Sequence, residues 1–384
     1  MSHPRPPLAL ESRAKDFGPF HDHVWLNAAN QGPLPRVAVE AMQEAIRDKI
    51  EPWHFSADDF HSIIGRLKTS ISKLIGSSPE EVILGNSTSY GLNLLVQGLP
   101  LREGDEVLLV QGDFPASVIT WLPLRNKGID VRLLTPQAWP PSPEEIAEAL
   151  SERTKVFCSS WVFSFFGHTL DIEGVGRVCQ EQGVTFVLNG TQALGARAID
   201  VHAVPVDVLV SCGFKWQCGP YGTGFTWMRD EILDSLGYEQ AYWVAHVDPL
   251  SPSYELKDDI GAAAYDVFGT ANPVNFLGWR AALEYLLDIG SDEVAQHDAA
   301  LVDAAVAGLK DSGYELVSPL SGPRRSTLVL FTHPDPNRNA KIAEVLRNEK
   351  IHIAERDGKL RISPHIYNSI GDVEAATDLL AELS

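Results

Sequence analysis

Between residues 81 and 228 the chain keeps returning to one pattern, a short unbroken apolar run bounded by polar turn residues, with stretches of helical period in between. The runs are EVILG (81–85), EVLLVQG (106–112), DVRLL (130–134), KVFCSSWV (155–162), TFVLNG (185–190), DVLVSCG (207–213) and TGFTWM (223–228). A strand with apolar residues at consecutive positions is covered on both faces, which is how a parallel sheet between helix layers reads. Helical periodicity fits FHSIIGRLKTSISKLIG (60–76), PEEIAEALSE (143–152) and IEGVGRVCQEQG (172–183), the last closing on a helix-ending Gly. The expected fold class is therefore α/β, a mostly parallel seven-stranded sheet between helices. Beyond VDPLSPSYELKDD (247–259) the pattern changes to a long helix around 275–312. The short strands STLVLF (326–331), IHIA (351–354) and KLRIS (359–363) follow, alternating with helical segments. This predicts an N-terminal arm (1–20), a large domain (21–255) and a small C-terminal α+β domain (256–384).

Composition narrows the partners. Lys and Arg number 31 against 51 Asp and Glu, a formal charge of -20, so the surface should repel polyanions. Nucleic acid and anionic membranes are excluded on that ground. The opening residues lack a basic segment followed by an apolar one, and no later apolar run is long enough to cross a bilayer, so a cytoplasmic protein is expected. Cys158, Cys179, Cys212 and Cys218 are too few for a disulfide framework and have no metal-site spacing.

Four segments fall just past the carboxyl ends of strands, where such a sheet places its ligands. In GNSTSYGLN (85–93) a strand runs into Ser and Thr at a helix start, either an ordinary cap or a phosphate cup. In SCGFKWQCGPYGTGF (211–225) Lys215 is the only charge among aromatics and glycines. Such surroundings favour the neutral, nucleophilic amine that Schiff-base formation needs, although a lysine snorkelling out of a Gly-rich loop would read the same. In VFGTANPVNF (267–276) Gly269 and Thr270 precede another helix. In ERDGKLRISPHIYNS (355–369) Arg361 sits among apolar neighbours, either in a structural ion pair or as a two-pronged carboxylate clamp.

Together these segments, with WLNAANQGPLP (25–35) and FKWQCGPYGTGF, resemble the class V aminotransferase family of pyridoxal-phosphate enzymes. That family includes cysteine desulfurases, kynureninases and isopenicillin-N-epimerase-like proteins. The resemblance covers nearly the whole chain and implies fold type I, pyridoxal 5'-phosphate as cofactor, an amino-acid substrate, and a homodimer with active sites at its interface. It implies that Lys215 carries the cofactor and moves the Cα proton. Thr88, Ser89 and Ser211 would contact the phosphate, with Gly269 and Thr270 reaching across from the second subunit. Phe114 would stack on the ring, Gln192 and Ser164 would lie by the ring hydroxyl, and Arg361 would hold the substrate carboxylate. Asn30 and Gln31 are further candidate polar contacts.

Three positions depart from the family pattern. Cys212 and Phe214 replace the Ser and His that precede the lysine, and residues 340–360 contain no cysteine, which argues against persulfide-forming desulfurase chemistry. Asn189 stands where the family has an Asp under the ring nitrogen. An amide supplies no charge to keep that nitrogen protonated, so the ring becomes a weaker electron sink. Loss of a group from Cβ, as in carbon–sulfur lysis of a cysteine conjugate, should then suffer less than full transamination. Epimerisation, aminotransfer, decarboxylation-coupled deamination and a non-catalytic cofactor-binding scaffold are the alternatives.

Overall fold

The computed structural model describes residues 11–237, 260–268 and 272–384. Its strands are β1 (Val24–Trp25), β2 (Val82–Gly85), β3 (Glu106–Val110), β4 (Asp130–Leu134), β5 (Thr154–Ser160), β6 (Thr185–Asn189), β7 (Val208–Cys212), β8 (Gly224–Met228), β9 (Glu315–Leu316), β10 (Val329–Thr332), β11 (Ile351–His352), β12 (Ala354–Arg356) and β13 (Lys359–Ile362). Strands β2 to β8 form one seven-stranded sheet in the order β2-β8-β7-β6-β5-β3-β4. Only β8 runs antiparallel to its neighbours; the other pairings are parallel. The α/β fold expected from the apolar runs is the fold found.

Both faces of this sheet are covered. Leu108 and Val110 of β3 join one apolar cluster with Phe157, Phe186, Leu188 and Phe225, against helices Ala57–Ile75, Ile172–Glu181 and Pro273–Ile289. Val107 and Leu109 point the other way and meet Val156, Val187, Val208 and Leu92 of helix Thr88–Gly98. Alternate residues of one strand thus serve two cores. The strand order reverses between β3 and β5, and the crevice past their carboxyl ends is where an open α/β sheet binds ligands. Among the described residues no helix is long and apolar enough to span a membrane.

The C-terminal part builds an antiparallel sheet, β12-β13-β10-β9, with helices Ser291–Leu309, Asn339–Asn348 and Ile370–Glu382 packed on it through Leu301, Leu346, Phe331, Leu360 and Leu380. Two features differ from expectation. The long helix around 275–312 is two helices, Pro273–Ile289 and Ser291–Leu309, because Gly290 takes φ 96° and turns the chain. The beginning of the chain also enters the C-terminal unit, since β1 pairs in parallel with β11 and Leu26 is buried in that unit's core.

Helix Thr88–Gly98 lies close on the sheet because Gly91 has no side chain: a Cβ there would overlap Thr226 Oγ1 and come within 2.9 Å of Val210 Cγ1. Gly91→Ala is expected to cost about 1–3 kcal/mol of stability, read from the denaturation midpoint. Gly65→Ala in helix Ala57–Ile75, where a Cβ meets nothing within 4 Å, should instead stabilise by up to about 1 kcal/mol.

Candidate active site

The turn after β7 carries Lys215 and is held from every side. Gly32 N–H donates to the carbonyl of Phe214 (3.0 Å), and Cys218 N–H donates to that of Lys215 (3.0 Å). Gln217 donates through Nε2 to Ser211 Oγ and to the Cys212 carbonyl, both at 3.1 Å, and accepts from Trp279 Nε1. Trp216 donates through Nε1 to Gln192 Oε1 (2.9 Å). Its carbonyl faces His365 Nε2 at 2.9 Å, while His365 Nδ1 faces Asp298 Oδ2 at 2.8 Å. A carbonyl and a carboxylate are both acceptors, so both ring nitrogens must donate and His365 is an imidazolium.

Lys215 itself is 8% exposed, with Nζ 5.1 Å from the Phe114 ring centre and 5.8 Å from that of Phe214. Burial lowers its pKa below the usual lysine value; Cys212 opposes the shift, and the guanidinium charges of Arg361 and Arg356 add to it. No carboxylate pairs with it among the described residues. These surroundings favour the neutral amine, the form that attacks a carbonyl carbon.

The cavity in front of the lysine measures about 140 Å³ and is lined by Ser87, Thr88, Phe114, Ser164, Asn189 and Cys212, among others. A water occupies roughly 30 Å³, so there is room for an organic group of several heavy atoms. Thr88 and Ser89, both on the lining, open helix Thr88–Gly98, whose cap Ser87 accepts from Tyr90 N–H. The N–H groups of Thr88 and Ser89, in the first turn, lack carbonyl partners within the helix and suit an anion. Thr88 Oγ1 lies 2.6 Å from Thr191 Oγ1. Burial raises the Cys212 thiol pKa, against the opposing pull of Lys215.

Asn189, at the end of β6, is 3% exposed and held at both ends of its amide. Oδ1 accepts from Thr191 N–H (3.1 Å) and Nδ2 donates to Ser117 Oγ (2.9 Å). Behind the cavity wall, Asp113 accepts from Phe114 N–H (2.6 Å) and Ser160 N–H (2.7 Å), which fixes the turn presenting Phe114. Burial raises the pKa of Asp113 to about 6. No carboxylate lines the cavity itself among the described residues.

Arg361, on β13, is 2% exposed. Its terminal nitrogen donates to the carbonyl of Ser164 at 3.3 Å, and its Nε is buried without a partner. A guanidinium buried without a counter-anion is costly, and here it is tolerated beside a cavity large enough for a ligand.

Most residues singled out in the sequence converge here: Thr88, Ser89, Phe114, Ser164, Asn189, Gln192, Cys212 and Lys215 line one cavity, and Arg361 contacts Ser164. Ser211 does not. It and Cys212 point to opposite faces of β7, so Cys212 takes the cavity position and Ser211 is engaged by Gln217. Gln192 is committed to Trp216 and, through Nε2, to the Ala29 carbonyl, leaving one amide hydrogen for a ligand. Asn30 accepts from Arg356, and Gln31 offers its carbonyl to Trp25; neither lines the cavity. Gly269 and Thr270 lie outside the described residues. Sequence reasoning missed Ser117, Asp113, Thr191, Asp298, His365 and Arg356. Only Thr191, inside NGTQ, had a signal, because it follows Asn189 closely at a strand end.

The family model for aminotransferase class-V matches residues 24–375, and the chain belongs to that family. A protein named probable cysteine desulfurase from Methanothermobacter thermautotrophicus is 24% identical, with 98% of each chain covered. Isopenicillin N epimerase from Streptomyces clavuligerus is 25% identical, over 94% of this chain and 95% of its own. Among solved structures, a C-DES mutant with glycine covalently linked to its PLP cofactor superposes with a TM-score of 0.88 at 20% identity, covering 97% of this chain and all of that one. C-DES, described as a cystine C-S lyase, in complex with cysteine persulfide gives 0.85 at 21%, over 94% of this chain and 98% of that one.

The His365 clamp has a pH signature. Burial disfavours its charge, but the charge of Asp298 and the hydrogen bond to it outweigh burial, with the Cys218 thiol adding to them, and raise the pKa to about 10. The rings of Trp216 and Tyr367 enclose the pair, and His297 lies beside Asp298. A raised histidine pKa contributes stability that is complete below the unfolded value of about 6.5 and is lost as pH climbs through the folded one. The melting temperature should therefore fall between pH 7 and 10, and His365→Gln should flatten that slope; an equal slope in the variant would contradict the clamp.

Proposed function

We propose that this protein, a pyridoxal 5'-phosphate enzyme of the class V family, acts on a cysteine-type amino acid by removing the Cα proton and expelling a sulfur group from Cβ. The observation that carries the proposal is a cavity lined by the buried amine of Lys215 and by Asn189 but by no carboxylate, with the buried Arg361 beside it; among the described residues neither Lys215 nor Arg361 pairs with a carboxylate. When bound, the cofactor supplies an aldehyde for the lysine amine and a ring that draws electrons from the bonds at Cα.

The chain's own residues do the rest. The N–H groups and hydroxyls of Thr88 and Ser89 would hold the phosphate, Phe114 would offer its ring to the cofactor ring, and Gln192 and Ser164, on the same cavity wall, would supply polar contacts to it. Arg361 receives the substrate carboxylate on its free Nε–H and terminal nitrogens, a match of planar fork to carboxylate. Lys215, whose burial lowers its pKa, takes the Cα proton. As the Cα–Cβ bond gains double-bond character, the Cβ–S bond breaks and the sulfur departs with the electron pair; hydrolysis then yields pyruvate and ammonia.

Asn189 selects among outcomes. Its Oδ1 already accepts from Thr191 and its Nδ2 already donates to Ser117, so it is a neutral, fixed amide on the cavity wall that the ring would meet. Electron density then stays nearer Cα, which favours expelling a group from Cβ, or returning the proton, over transamination. Persulfide-forming desulfuration is disfavoured because all four cysteines are buried and residues 340–360 contain none. In this reading the unit is a homodimer, with Gly269 and Thr270 of one subunit completing the phosphate site of the other.

Two experiments test the proposal. Lys215→Ala should abolish the bound chromophore that borohydride fixes to the wild-type chain; wild-type protein with no such chromophore would sink the cofactor assignment. Asn189→Asp should raise amino-acceptor turnover relative to β-elimination by about ten-fold or more. If wild type shows no elimination with any cysteine conjugate and Asn189→Asp restores transamination, the chain is an attenuated aminotransferase.

A further inference from the structure

The small sheet presents a row of cations on the side that faces the large unit, and among the described residues only one of them pairs with a carboxylate. In the antiparallel register Arg361 of β13 stands opposite Ala354 of β12, and Lys359 stands opposite Arg356. Directly opposed residues and residues two apart share a face, so Arg356, Lys359 and Arg361 project from the same side of the sheet. The other side is apolar, with Leu360, Ile362, Val329 and Phe331 in the C-terminal core. Leu330, opposite Arg361 on the cationic side, belongs to the large unit's core, so that side faces the large unit and the lysine cavity.

The three cations are treated differently. Lys359 pairs with Asp357 (2.9 Å) and lies over the Phe166 ring. Arg361 is buried beside the cavity with its Nε free. Arg356 is exposed on the same face, and its guanidinium is steered by a neutral group, donating to Asn30 Oδ1 at 2.9 Å; no carboxylate pairs with it among the described residues. In a chain with 20 more acidic than basic side chains (51 − 31), an exposed arginine held in place by an amide is a prepared anion contact. Arg356 sits diagonally from Arg361, a Cα separation of about 7–8 Å that long side chains can narrow. Its charge is felt at the site, where it lowers the proton affinity of both Lys215 and Arg361.

We infer that the substrates are amino acids whose side chain carries a second anionic group, with Arg361 taking the α-carboxylate and Arg356, oriented by Asn30, taking the distal anion. The inference rests on the cofactor and carboxylate roles proposed above for Lys215 and Arg361, and it narrows the substrate. Arg356 is a specificity residue here: it touches the substrate away from the reacting atoms. A neutral or cationic side chain would leave Arg356 to water or meet its charge.

The test is an equilibrium binding titration of the holoenzyme, followed in the absorption spectrum, with two isosteric pairs: glutamate against glutamine, and S-carboxymethylcysteine against S-carbamoylmethylcysteine. In wild type each acid should bind about ten-fold or more tightly than its amide. Arg356→Gln should bring the acid-to-amide ratio close to one, Arg356→Glu should invert it, and Asn30→Ala should lower it part of the way. Equal binding of acid and amide by wild type overturns the inference while leaving the parent function intact, as does a ratio that Arg356→Gln leaves unchanged. A spectrum that no amino acid perturbs overturns both.

Discussion

His365, in the turn after β13, gives one N–H to Asp298 of helix Ser291–Leu309 within the C-terminal unit and the other to the carbonyl of Trp216 in the large unit. That carbonyl belongs to the residue after Lys215, so one buried ion pair joins the C-terminal unit to the turn that carries the reactive amine. The charge is held in a buried position because both partners accept, with the rings of Trp216 and Tyr367 packed edge-to-face against the imidazole. Lys215 inherits its placement from this clamp, from Gln217 and from the contact of Gly32 with the Phe214 carbonyl.

Around this anchor the electrostatics run against the composition. The chain is strongly acidic, yet its central cavity is lined by hydroxyls, amides, aromatics and Lys215, with Arg361 beside it at Ser164. Asp113 comes close, but two backbone N–H groups occupy it and it serves the Phe114 turn. A cavity of this character suits small anions that the outer surface repels, and burial without a carboxylate partner among the described residues shifts Lys215 toward its neutral form. The amide of Asn189 belongs to the same pattern, since an Asp there would add a negative charge to the cavity wall.

The strands of the large sheet were legible because each is apolar over consecutive residues, and the seven runs correspond to β2 through β8 with shifts of a residue or two at their ends. The long helix was misjudged because its apolar period continues through Gly290, and a glycine within a periodic segment does not announce the backbone turn it makes. The assignment of Ser211 to the cavity had a similar origin. Both faces of β7 are buried, so polarity along VLVSC carries no information about which face looks at the ligand. Asp298 and His365 were invisible because their partners lie 67 and 149 residues away in sequence.

What the sequence determined by itself is the chemistry available: a lysine among aromatics at a strand end, an arginine in an apolar strand, hydroxyls at a helix start, and an Asn in place of an acid. Those are local facts of residue type and spacing, and they carry the fold class and the family. Tertiary structure alone decided which of these groups face one another, because a residue's side of a doubly covered sheet, and the partner of a buried charge, are settled by packing between segments far apart in the chain. Thus Cys212 rather than Ser211 reaches the cavity, Asn189 is locked between Thr191 and Ser117, and Arg356 comes to share a face with Arg361.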